Sequence, residues 1–198
     1  MKTLCQLGLT ISLLIFGISA FAIPSQLEGG VSGGGGNVLN PTPPSRSIDE
    51  ETAEHLVKSS YRYVKILVQE KFQKMATGNL NQEDFKIYAK ILRGPKDIFA
   101  VIDQVRPKVE EEKPCYDLAR KPVDASIVSK TPNTFCVSSY SLAKKVDAEE
   151  IPLQSSALMI HEYSEIMGLS EQEAVELQAK ALEDLNAMDL PPLPNIEE

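Results

Sequence analysis

Val57, Tyr61, Val64, Val68, Phe72 and Met75 recur at spacings of 4, 3, 4, 4 and 3. That period lines apolar side chains along one stripe of an α-helix, so this part of the chain must form a long helix packed on one side. Ser47 and Glu50 form an S-x-x-E capping box that predicts its start, and Gly78 predicts its stop. A second helix is predicted from Gln82 to Leu92, capped by Asn81, turning Phe85, Ala89 and Leu92 inward and broken by Gly94-Pro95. A third, from about Lys96 to Val105, turns Ile98, Val101, Ile102 and Val105 to the core and ends before Pro107.

The next stretch changes character. It is dense in Pro, Asp, Ser and Thr, with short β-branched runs at 125–128 and 134–137. Two brief strands joined by a turn at Thr131-Pro132-Asn133 fit that composition, and a short helix from Tyr140 to Val146 follows. Cys115 and Cys136 flank this thin region. Of the three cysteines, Cys5 falls in the predicted signal peptide, and the two left in an exported chain read as one disulfide; the paired C-x-x-C spacing of cysteine metal sites is missing. "VEEEKPCYD" reads as a solvated acidic run. Two more helices close the chain: roughly Leu153 to Met167, ended by Gly168, and a second begun by a Ser170/Glu173 capping box. Ala174, Leu177, Ala181, Leu185 and Met188 form the apolar stripe of the second, and Pro191-Pro192 ends it. The predicted class is α+β and mostly helical: three N-terminal helices, a small disulfide-bridged strand pair, then a helix pair.

Export is read from the N-terminus. Lys2 precedes the apolar run "LGLTISLLIFGISAFA", and Ala20-Phe21-Ala22 satisfies the small-x-small rule, which predicts a signal peptide over residues 1–22. The run is short for a retained spanning helix of about 20 apolar residues. Cleavage of 22 from 198 residues leaves 176, and loss of Lys2 moves the formal charge from −8 to −9. Periplasmic or secreted placement follows, with no membrane association after cleavage. An acidic chain without a basic patch is a poor nucleic-acid binder. Residues 23–46 carry Gly29, Gly30, Gly33 to Gly36 and four prolines, at 24, 41, 43 and 44, which predicts a flexible leader. One domain is expected over 47–190, with 191–198 as a frayed acidic tail. No strand precedes the glycines and no G-K-[ST] follows, so they do not form a phosphate loop.

The chemistry concentrates in "HEYSEIMGLSEQEAVELQ", beginning at His161. On a helix, His161 and Glu165 share a face, about 5–6 Å apart at Cβ, and zinc accepts both imidazole nitrogen and carboxylate oxygen. Glu162 projects about 100° further round, the position from which a base polarises a metal-activated water. A third ligand must come from the following helix, where Glu171, Glu173 and Glu176 are candidates. The competing packing pattern makes His161, Glu162 and Glu165 a wet face, with Met159, Ile160, Tyr163, Ile166 and Met167 packed inside. His55, the other histidine, lies among Glu51, Glu54 and Lys58 and reads as a surface residue. No G-x-S-x-G turn, paired-aspartate nuclease motif or calcium-loop spacing around Asp117 and Asp124 is present.

The stretch resembles the active-site helix and following helix of zincin metallopeptidases of the HExxH-plus-Glu kind. The order "CYD…VDASI…FCVSSYSLAKK…HEYS" also resembles short exported bacterial proteins with a near-complete HExxH. The likeness covers 115 to about 180, within an expected zincin-like part of about 115–188. His161, Glu162 and Gly168 match, and Glu165 replaces the second His. That change adds negative charge, favouring cation binding while weakening the metal as a Lewis acid. The resemblance implies a strand ahead of the helix (Thr134–Val137), zinc held by His161, Glu165 and Glu173, with Glu176 in reserve, and Glu162 as the base. It also implies a peptide or protein substrate or partner. Three functions fit these residues: a metal-dependent hydrolase, an inactive zincin-like binding protein, and a structural protein without metal.

Overall fold

The computed structural model describes residues 35–41, 44–45, 47–127 and 134–193. The predicted signal peptide, the turn at 131–133 and most of the acidic tail lie outside these residues. The chain is a mostly helical α+β structure with small strand pairings and a Cys115–Cys136 disulfide. Among the described residues six helices run in chain order: α1 Glu50–Ala76, α2 Gln82–Leu92, α3 Ile98–Gln104, α4 Ser139–Ala143, α5 Ile151–Ile166 and α6 Glu171–Ala187. The strands are β1 Arg106–Glu110, β2 Cys115–Tyr116, β3 Pro122–Val123, β4 Ala125–Ser126 and β5 Thr134–Ser138.

The long stripe does form one helix, but α1 starts two residues later than Ser47 suggested. Asp49 is its cap, accepting from the Thr52 N–H at 2.7 Å. Val57, Val64 and Val68 are fully buried, whereas Phe72 at the far end is 41 % exposed and packs edge-on against Phe99. α2 has the predicted bounds and cap, but its buried face is Asp84, Tyr88 and Ile91, one residue round from the expected one. The reason is a polar core: Lys71 of α1 sits between Asp84 and Asp184, at 3.3 and 3.0 Å, and draws that face inward.

α5 is the central element. It packs against α1 on one side and α6 on the other, with β4 and β5 against it. Every residue of α5 except Leu153 is buried, so it has no solvent side. Small polar residues permit the close α1–α5 approach and stay satisfied there: Ser155 Oγ donates to Ser60 Oγ at 2.7 Å and Ser156 Oγ to Ser60 O at 3.0 Å. A helix buried all round must account for each polar group on it.

β5 is the middle strand of a three-stranded sheet ordered β1-β5-β4, with β1 parallel and β4 antiparallel to it. The parallel β1 was not predicted from sequence. The disulfide ties β2 to β5, with Cα atoms 5.9 Å apart. Phe135 of β5 meets Tyr163 of α5 edge-on at 5.0 Å, which seats the sheet on the central helix. Residues 35–39, expected to be free leader, are instead docked on β4, α5 and α6, with Val38 only 7 % exposed. Among the described residues no helix is long and apolar enough to cross a membrane.

Candidate metal centre

The turn between α5 and α6 builds the site. Gly168 adopts φ +94°, which lets the chain reverse, and the N–H groups of Gly168 and Leu169 cap the carbonyls of Glu165 and Ser164. Ser170 then caps α6 in a full capping box with Glu173. Glu171 therefore becomes the first residue of α6 and reaches back to α5, where its Oε1 is 3.7 Å from His161 Nε2.

His161, Glu165 and Glu171 each place one ligand atom within 4.8 Å of the others. Donor atoms around a tetrahedral zinc, at about 2.0–2.2 Å from the ion, lie roughly 3.4 Å apart, a spacing small side-chain rotations reach. The donor set suits the metal, and the histidine needs a partner. Its ring is 0 % exposed, and neither Nδ1 nor Nε2 makes a hydrogen bond. Glu162 Oε2 and Glu171 Oε2 are likewise buried without one. Unsatisfied buried polar atoms of this kind each cost about 1–3 kcal/mol. Two of these residues, His161 and Glu171, belong to the same three-residue cluster with Glu165.

Electrostatics favour the binding-competent ring. Burial pushes the His161 imidazole below its ordinary range, against the opposing pull of Glu171 and neighbouring Gln178. The neutral ring is the form that binds metal. Glu162 is fully buried, with Oε1 accepting from the Gly36 N–H at 3.0 Å. Burial pushes its carboxyl well above the ordinary range, Glu165 and Glu171 add to the rise, and the N–H groups of Gly36 and Ile127 oppose it.

Glu173 does not join this cluster. Its Oε2 accepts from the Ser170 N–H at 3.0 Å and the Ser170 hydroxyl at 2.9 Å, and its other oxygen faces Lys90 at 3.5 Å. The Ser170 N–H, followed by its hydroxyl, holds that carboxyl below the usual range. Glu173 is thus fixed as a capping group, and Glu171 takes the place expected for it. Glu176 is exposed and pairs with Lys90 at 3.0 Å. His55 lies on α1 beside Ser59 and outside the cluster. The expected wet face is not wet: His161 and Glu162 are 0 % exposed and Glu165 is 6 % exposed.

Two participants had no signal in the sequence. Gly36 approaches so closely that a Cβ there would lie 3.2 Å from Glu162 Oε1 and 3.3 Å from His161 Cδ2. Gln178 stands beside the ring and donates to Asn37 O at 2.7 Å. The glycine-rich composition pointed to flexibility, while the same absence of side chains is what allows this contact. No family model matches the chain, and no curated protein or solved structure is found similar to it.

Proposed function

We propose that this is an exported zincin-like protein that binds zinc through His161, Glu165 and Glu171 and hydrolyses peptide bonds with Glu162 as its base. The observation that carries this reading is the fully buried imidazole, neither nitrogen in a hydrogen bond, with Glu171 Oε1 3.7 Å from Nε2 and Glu165 in the same cluster. A zinc ion there would supply Lewis-acid polarisation of a substrate carbonyl and of water. Glu162 would take the proton from that water on Oε2, the oxygen not engaged by Gly36, and return it to the departing amine. A carboxyl raised by burial is suited to hold a proton between those two transfers near neutral pH.

A second reading, a zincin-like binding protein without catalysis, draws on the complete cover over His161 and Glu162. Zinc content after dialysis and thermal unfolding with added zinc test the metal. At a free concentration 100 times Kd, binding should add about 2.7 kcal/mol to stability. His161→Ala and Glu171→Ala should abolish that gain, while Glu173→Ala keeps it and loses only a capping contribution of about 1 kcal/mol. Absence of zinc binding by the parent protein refutes the hydrolase and leaves the binding protein. Peptidase activity that disappears in Glu162→Gln with zinc retained selects the enzyme over the binder.

A further inference from the structure

The stretch Gly35–Leu39 has no regular secondary structure, yet it lies across the cleft bounded by β4, α5 and α6. Gly36 O accepts from the N–H groups of Asp124 and Ala125, at 3.1 and 3.0 Å, just where β4 begins. Val38 N–H donates to Asp124 Oδ2 at 2.9 Å, and Asp124 is itself held by Lys145 at 2.6 Å. Gln154 and Gln178 donate to Leu39 O and Asn37 O. On its inner side the segment presents bare backbone to the candidate site, through the Gly36 N–H on Glu162. Side chains have no place there. A Cβ on Gly35, whose φ is +43°, would stand 2.6 Å from Ala125 O, and one on Gly36 would stand 3.0 Å from Leu158.

We propose that Gly35–Leu39 is a displaceable cover, an internal occupant of the cleft that closes the His161–Glu165–Glu171 site and must lift before a cation or a ligand reaches it. The attachment suits such a device. Val38 is the single buried apolar side chain of the segment, and every other tie is a hydrogen bond. Segments with few apolar contacts open locally at lower free energy than the core they cover. The helices and the β1-β5-β4 sheet hold one another without it. Lifting the cover removes the donor on Glu162 Oε1 and bares His161 in one movement. Regulation of access therefore rests on the same residues as the proposed metal site. The cover itself can be tested without any metal.

The experiment uses the full chain, unaltered and as Val38→Asp, which places a charge in an apolar seat beside Asp124. In the unaltered chain the amides of Val38 and Asp124 should exchange with solvent through local opening, well ahead of α1 and α5 amides. Exchange of all of them together, through global unfolding alone, overturns the proposal without reference to any variant. Carbethoxylation of His161 should be roughly tenfold faster in Val38→Asp, with His55 as the internal reference. Equal His161 reactivity in both chains overturns the cover as well. Zinc uptake, followed by competition with a chromogenic chelator, should accelerate in the variant to a similar extent. Faster His161 modification with no zinc uptake by either chain upholds the cover and overturns the metal reading instead.

Discussion

Glu162 makes the sharpest single-residue forecast. Its carboxyl is raised by burial, so the folded, metal-free chain keeps a proton that the unfolded chain releases above the ordinary value of 4.5. The stability this contributes is complete below that value and is lost as pH rises towards the folded one. Glu162→Gln removes the penalty, and its stability relative to the parent should grow steadily from pH 4.5 upward in urea titrations of metal-free protein. His161 works in the opposite window: burial favours its neutral ring, so that part of the stability falls as pH drops below 6.5. Comparing the two chains cancels the histidine and isolates the glutamate. A glycine forecast is simpler. Gly78 has φ +72°, and a Cβ added to it would meet nothing within 4 Å, so Gly78→Ala should cost only the left-handed backbone penalty, about 1 kcal/mol. At this scale the closeness of His161 and Glu165 was legible from their spacing, because one helical turn makes them neighbours. Choosing among Glu171, Glu173 and Glu176 was not, since it depends on the angle at which α6 leaves Gly168. A capping box then removes Glu173 from the choice by engaging its carboxylate.

Elements were legible where local signals agree with packing. Asn81, Ser170 and the Gly168 reversal mark helix ends in the sequence as they do in the fold. β1 was not legible. Arg106–Glu110 contains a proline and alternates polar with weakly apolar residues, and only its parallel partner β5 makes it a strand. The register Arg106↔Thr134 through Glu110↔Ser138 is a long-range fact that no local window contains. The face of α2 was misjudged for a related reason, because its Asp84 is drawn inward by lysines on α1 and α6. The disulfide ties β2, which has little core of its own, to the well-packed β5, in a cluster of Cys115, Val123 and Cys136. Replacing Cys115 and Cys136 together by Ser should lower stability by about 3 kcal/mol, for a crosslink spanning 21 residues. Urea denaturation checks this, and zinc stoichiometry should be unchanged, since neither cysteine belongs to the His161 cluster.

At the scale of the whole molecule, a buried polar knot fastens three helices. Lys71 and Lys180 face Asp84 and Asp184 at 3.0 to 3.3 Å, and Tyr88 donates to Asp184 at 2.7 Å. Removing the Asp184 carboxylate leaves two largely buried ammonium groups sharing Asp84, with the exposed Glu183 at 3.2 Å as a further partner of Lys180. Asp184→Ala should therefore cost about 3 kcal/mol in chemical denaturation. The exposed Lys65–Asp103 pair gives the contrast, and Asp103→Ala should cost under about 0.5 kcal/mol. The docked segment at Gly35–Leu39 has a consequence of another kind. Its hydrogen-bond partners Asp124, Gln154, Glu162 and Gln178 lie 86 to 141 positions downstream. A ribosome therefore delivers this stretch long before its partners exist, and it cannot be fully seated until α6, which carries Gln178, has been made. Until α6 is complete, the nascent polypeptide has only part of the seat that this stretch will occupy.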